Sequence, residues 1–132
     1  MKLLLDTRAF LWAVLAPAEL SPRMRRLLTD SSNSVSVSAV SFWEIAIKAG
    51  LGKLTLTGLS PDDLPAAAAA HDIHVLALEG IDAASSRRLP RGAHKDPFDR
   101  MIIWQAMRHQ LTLVSKDTGI LAYRDQGLQV QW

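Results

Sequence analysis

Short apolar runs of strand length alternate with helix-like segments from one end of the chain to the other, and no other feature constrains the fold as much. Parallel strands buried on both faces read as unbroken apolar runs, and joining two of them in one sheet requires a crossover, usually a helix. The alternation therefore predicts an α/β fold, a parallel sheet covered by helices. Strand-like runs fall at residues 2–5, 34–38, 73–78, 111–115 and 128–131, and the second alternates valine with serine. Helical patterns fall at 7–15, stopped near Pro17, and from Ser21-Pro22, where serine takes the N-cap and proline the first helical position. Others run over 41–49 up to Gly50, from Ser60-Pro61 through the alanines at 66–70, near 80–88, and over 97–109.

With 132 residues, 48% of them hydrophobic, a single domain over 1–132 can bury a core without staples. The absence of cysteine excludes disulfides, thiolate zinc sites and cysteine nucleophiles, and fits the cytoplasm as the expected location. The apolar stretch 9–16 is not expected to be a signal peptide, because Asp6 interrupts its approach and cleavage would delete the first strand. No apolar run reaches the ~20 residues needed to span a bilayer, so no membrane partner is expected. A net charge of +2 permits a polyanionic partner without demanding one. Arg23, Arg25 and Arg26 form one basic cluster, and Arg87, Arg88, Arg91, His94 and Lys95 a second; solvated surface explains either as well as RNA does.

The carboxylates are placed more tellingly. Asp6 follows the first strand, Glu44 lies in the first turn of the helix after the second, Asp96 and Asp99 open the helix at 97–109, and Asp117 follows the fourth strand. In an open parallel sheet the strand carboxyl ends and the next helix N-termini share one edge, where ligands bind. Each acid alone has a plainer explanation. Ser41 and Glu44 read as a capping box, Asp96 before Pro97 as an N-cap, Asp99 as a first-turn acid facing the helix dipole, and Asp117 as the cap of a short helix. Capping explains Asp6 and Asp99 less well. Asp6 abuts a wholly apolar strand, and Asp99 shares a helical stripe with Ile102, Ile103 and Ala106, the side that faces the sheet.

Converging, partly desolvated carboxylates repel one another, and a hard divalent cation removes that repulsion. All-oxygen ligands favour Mg²⁺ or Mn²⁺ over zinc. Metal ions held by carboxylates lower the pKa of a bound water and neutralise charge on a phosphoryl oxygen, so a phosphodiester is the expected substrate.

Four blocks then become recognisable. Residues 3–7 (LLLDT), 41–48 (SFWEIAIK) with 51–54 (LGKL) behind, 94–106 (HKDPFDRMIIWQA) and 113–117 (LVSKD) resemble, in order, the four motifs of PIN domains, and most closely those of VapC-like toxins. The resemblance implies a three-layer α/β/α sandwich with a mainly parallel sheet of about five strands. It also implies a Mg²⁺- or Mn²⁺-dependent endoribonuclease, usually a homodimer, restrained by a cognate antitoxin. By motif position Asp6, Glu44, Asp99 and Asp117 match the acidic quartet: Asp6 and Asp99 to hold metal most directly, Glu44 to position or activate water, Asp117 to complete the cluster. Asp96 is a further metal-shell acid or the helix cap, with the cap slightly ahead. Thr7 and Ser115 match hydroxyls that orient carboxylates or water. Arg8 departs from the family pattern and stands as a phosphate contact or an exposed helix residue, and His94 and Lys95 as phosphate contacts or solvated loop.

The first helix is apolar on more than one face through Phe10, Leu11, Trp12, Val14 and Leu15. About half of these side chains are expected in the core, the rest on a self-association surface or in a groove for an antitoxin helix. Trp43 and Trp104 are expected in the core. Two other readings compete: a catalytically silent module of the same fold that binds metal and RNA, and a phosphotransfer protein. The latter wants a second aspartate two residues beyond the first, where Arg8 stands, or an acidic pair after the first strand, which is missing.

Overall fold

The computed structural model describes residues 1–92 and 94–132. Five strands, β1 (Lys2–Leu5), β2 (Ser34–Ser38), β3 (Ile73–Leu76), β4 (Thr112–Val114) and β5 (Val130–Gln131), form one sheet in the order β3-β2-β1-β4-β5. Every pairing is parallel; Leu4 of β1 stands opposite Ser36 of β2 on one side and Leu113 of β4 on the other. Seven α-helices surround the sheet among the described residues: α1 (Thr7–Leu15), α2 (Pro22–Thr29), α3 (Ala39–Gly50), α4 (Leu64–Ala70), α5 (Gly80–Ser85), α6 (Pro97–Arg108) and α7 (Thr118–Leu121). None of them is long and apolar enough to cross a membrane.

Strand alternation divides the core into two halves. Leu3, Leu5, Val35, Val37 and Val114 pack with Phe10 of α1, Met24 of α2, Ile45 of α3 and Leu64 of α4. Leu4, Leu113 and Val130 point the other way, against Ile102, Ile103 and Ala106 of α6 and Ile120 of α7. These are the three layers expected from the family resemblance. The wholly apolar run of β1 is explained by its position, central in the sheet and buried on both faces.

The sequence reading differs from the structure mainly at element ends. The third, fourth and fifth strands are shorter than their apolar runs, and the segment from Ser60 opens as a 3-10 turn (Pro61–Asp63) before α4 begins. One difference affects the chemistry. Helix α3 starts at Ala39, capped by Ser38 Oγ, which accepts the Val40 amide at 3.0 Å, so Ser41 is not its N-cap and Glu44 lies in its second turn. The Ser41–Glu44 capping box is thereby excluded, which frees both side chains for other partners.

Candidate active site

From β1 the chain winds outward through β2 and β3, then returns to lay β4 against the opposite side of β1. The crevice between the carboxyl ends of β1 and β4 is thus the switch point of the sheet, where open α/β folds place their ligands. The Asp6 amide donates to Val114 O at 3.1 Å and joins the two strand ends. Asp6 leaves β1 with extended backbone and caps α1, its Oδ1 accepting the Ala9 amide at 2.7 Å. Burial pushes its carboxyl up; the Ser115 hydroxyl, the Ala9 amide and the Arg8 charge oppose the rise, and Asp117 adds to it.

Glu44 reaches the same crevice from α3 and is buried. Thr7 Oγ1 donates to Glu44 Oε1 at 2.6 Å and lies 2.9 Å from Ser41 Oγ, while Lys48 pairs with Glu44 Oε2 one helical turn on. The Thr7 hydroxyl thus hydrogen-bonds one carboxylate of the crevice, that of Glu44. The hydrogen bond to Glu44 holds the Lys48 ammonium above its usual pKa, and the charges of Glu44, Asp96 and Asp99 act in the same direction against burial. Lys48 was not among the residues read from sequence, although its i, i+4 spacing from Glu44 was legible there.

At the start of α6, Asp96 Oδ1 accepts the amides of Phe98 at 2.8 Å and Asp99 at 3.2 Å, the geometry of a helix cap. Asp96 does not line the cleft described below. Asp99 turns inward, with Oδ2 2.6 Å from His94 Nε2. Burial is the main cause that lifts its pKa to about 6; Asp96 and Glu44 push the same way and His94 pulls against them. Asp117 caps α7 by accepting the Gly119 amide at 2.8 Å, and its Oδ2 lies 3.7 Å from the same His94 nitrogen. Ser115, fully buried, accepts the Asp117 amide at 3.1 Å and hydrogen-bonds Asp6, so it links two of the acids. His94 is therefore not a solvated loop residue, because Nε2 is engaged between two carboxylates. Lys95 is exposed and away from the cleft.

Asp6, Glu44, Asp99 and Asp117 all line one open cleft of about 470 Å³, together with Thr7 and Arg8. His94, Asp99 and Asp117 each offer a ligand atom within 4.8 Å of the others. Burial holds two of these acids above their ordinary pKa, so the donor set fits a hard divalent cation: carboxylate oxygens with one imidazole beside them. A second acid–histidine group, Glu79, Asp82 and His109, was not anticipated from sequence. There Asp82 is fully buried and accepts from Arg108 Nε at 3.0 Å, His109 Nε2 at 3.1 Å and the Glu79 amide at 3.1 Å. Arg108 already supplies the charge that a metal would bring.

The aromatic residues divide. Trp43 is 62% exposed, with its ring edge-on to Phe98 at 5.3 Å, so its expected place in the core is corrected: α3 buries Ile45 and Glu44 and leaves Trp43 on the outer side. Trp104 is half-buried against the second core half and donates its indole proton to Ser85 Oγ at 2.9 Å. On α1, Phe10 is buried, Leu11, Trp12 and Val14 are half-buried and Leu15 is exposed; Leu11, Trp12 and Leu15 line the cleft.

Comparison with known proteins agrees with this fold. Residues 3–125 match the family model of the PIN domain. No curated protein matches. Among solved structures, the chain is similar to one in VapBC2 of Rickettsia felis bound to a promoter DNA fragment, with a TM-score of 0.67 at 14% identity over 99% of this chain and 98% of that one. It is also similar to a chain in DNA-bound VapBC of Salmonella typhimurium, with a TM-score of 0.68, 18% identity, and 99% and 97% covered. A chain in FitAcB of Neisseria gonorrhoeae gives a TM-score of 0.60 at 22% identity, with 97% and 95% covered.

Proposed function

The chain belongs to the PIN-domain family, and on that premise we propose that it is a Mg²⁺- or Mn²⁺-dependent endoribonuclease, the toxin of a toxin–antitoxin pair. One observation carries the reading: four carboxylates from four separate segments line a single cleft at the switch point of the sheet, and burial holds two of them above their ordinary pKa. Groups strained in this way cluster at functional sites more than at structural ones.

Asp6 and Asp99 would hold the cation, with Asp117 completing the set; Asp96 keeps its place as the cap of α6. The bound cation would supply charge neutralisation at the phosphoryl oxygens and a lower pKa for water. Glu44, kept in place by Thr7 and Lys48, is positioned to accept a proton from the attacking water. The water oxygen bonds to phosphorus, one P–O ester bond breaks, and the departing oxygen takes a proton from solvent. Ser115 keeps Asp6 and Asp117 in register, and His94 steadies Asp99 against Asp117.

The cleft continues from the acids along Leu11, Leu15, Leu54 and Leu56. This apolar extension suits a helix of a cognate antitoxin, whose seating would close the acidic end to RNA. The complexes in which the structural neighbours were solved support that assignment, and a cytoplasmic homodimer is part of the same reading.

The test is cleavage of a total-RNA pool by the chain and by its Asp6→Asn variant, with Mg²⁺ or Mn²⁺ and with EDTA. Metal-dependent cutting that disappears in the variant is expected. If both proteins bind RNA equally and neither cuts it, the silent-module reading replaces this one.

A further inference from the structure

Beside the acidic cluster the same cleft carries two cations that form no ion pair with it among the described residues. Arg8 and Lys116 line the wall with Trp12 and Trp132, while Asp6 and Asp117 are their near neighbours in the chain. Among the described residues neither cation has a carboxylate oxygen within 4.0 Å, although Lys48 and His94 are both paired to acids of this cleft. Both lie over indole rings. Lys116 Nζ is 4.7 Å from the Trp12 ring centre and 5.7 Å from that of Trp132, and Arg8 Cζ is 5.8 Å from Trp12. The two indoles meet at 5.6 Å with an interplanar angle of 55°, forming a cradle.

The local sequence explains the arrangement. Arg8 and Trp12 are one turn apart on α1, which sets guanidinium and indole on one face. Lys116 lies between Ser115 and Asp117, and its flexible stem would reach a carboxylate if nothing else held the ammonium. A ring face attracts a cation through its quadrupole without neutralising it. A cation held this way keeps its full charge for an incoming anion.

We infer that Arg8 and Lys116, held over Trp12 and Trp132, clamp the backbone phosphates of RNA next to the bond to be cut; the inference rests on the nuclease reading for what enters the cleft. The carboxylates would take the metal and the indole-held cations the phosphate oxygens, two opposite charges kept apart in one cleft by aromatic rings. Trp12 is a positioning residue in this arrangement, acting through Lys116 and Arg8.

The experiment measures binding of a short fluorescein-labelled oligouridylate by anisotropy across a series of KCl concentrations, with Mg²⁺ and in the Asp6→Asn background so that no cutting intrudes. For single strands each phosphate contact contributes about 0.7 to the slope of log Kd against log salt. Arg8→Gln and Lys116→Gln are each expected to lower the slope by about that amount. Trp12→Leu, which retains both cations, should reproduce the loss seen in Lys116→Gln, and adding Lys116→Gln to it should change little more. Trp12→Phe should keep the slope, because phenylalanine still offers a ring face. A purely structural role for Trp12 would lower the melting temperature and leave the slope alone. An unchanged slope in folded Arg8→Gln and Lys116→Gln overturns the clamp and leaves these cations as a dock for an acidic protein segment. Should the native chain fail to cut RNA, the nuclease reading would fall, yet the slope would still report on the clamp.

Discussion

The molecule buries aspartates in two places and treats them in opposite ways. At the contact of α5 with α6, Asp82 has no solvent exposure. Burial alone would raise its pKa, but the Glu79 amide, the Gln105 side chain and His109 outweigh it and hold the carboxyl below the usual range. In the cleft at the ends of β1 and β4, Asp6 and Asp99 are also shielded from water, and there burial wins. The difference lies in the partners. Asp82 receives an arginine and a histidine, whereas Asp99 receives one histidine and two further carboxylates nearby. A buried acid with all its donors present is a structural joint, while one left short of positive charge is a candidate for ligand binding.

The largest expected effects test that contrast directly. Asp82→Ala strands Arg108 and His109 and removes the tie from α5 to α6, so it should cost about 3 kcal/mol, which thermal or urea unfolding would register. Asp99→Asn should change the stability of the metal-free protein by less than about 1 kcal/mol, since it removes repulsion along with one hydrogen bond. Activity should show the reverse order. Glu44→Gln, which removes the proposed proton acceptor, should lower the cleavage rate roughly 10²–10⁴-fold while the protein stays folded. An Asp99→Asn protein that melted as early as Asp82→Ala would erase the distinction between the two sites.

A smaller effect separates them by pH. The Asp99 carboxyl titrates at about 6 in the folded protein and near 3.9 in an unfolded chain. Its stabilising contribution is therefore complete below the unfolded value and is lost as pH rises through the folded one. Without metal, the melting temperature should fall by roughly 2–5 °C across that interval from this group, and Mg²⁺ added at about pH 7 should restore it. Asp99→Asn should flatten the profile. Asp82, whose pKa is depressed, behaves oppositely: its contribution is present above the unfolded value and disappears as acid takes the pH through the folded one. Asp82→Asn should accordingly remove part of the acid-induced loss, which is read from the same melting curves.

The sequence pattern carried the acidic cleft further than it carried the Asp82 joint, for a physical reason. Asp6 and Asp117 follow strands and Asp99 opens a helix, so the alternation that predicts the sheet also assigns these acids to its carboxyl edge. Asp82 meets Arg108 and His109 across 26 and 27 residues, and no local pattern announces such a contact. His94 lies in a loop, where periodicity says nothing about where a side chain points. Trp43 sits among Phe42, Glu44 and Ile45, and only the packing of α3 decides which of these faces water.

The start of α3 departs from its sequence pattern for a different reason. Two serines compete for the cap. Ser41 stands three residues before Glu44 and imitates a capping box, whereas Ser38 is absorbed into the valine–serine alternation of β2. In the structure Ser38 Oγ accepts the Val40 amide and donates to Gln105 Oε1 at 2.5 Å; Gln105 in turn contacts Asp82, so the cap belongs to the satisfied side of the molecule. Ser41 instead touches Thr7, the residue that holds Glu44, and belongs to the cleft. Ser38→Ala should therefore cost about 1–2 kcal/mol, the loss of a helix cap together with a buried hydrogen bond. Ser41→Ala should cost less than about 1 kcal/mol and be felt in cleavage rate, because Thr7 loses its second partner and Glu44 its firm position. Equal destabilisation by the two substitutions would return Ser41 to the role of cap and take Glu44 back into the first turn of its helix.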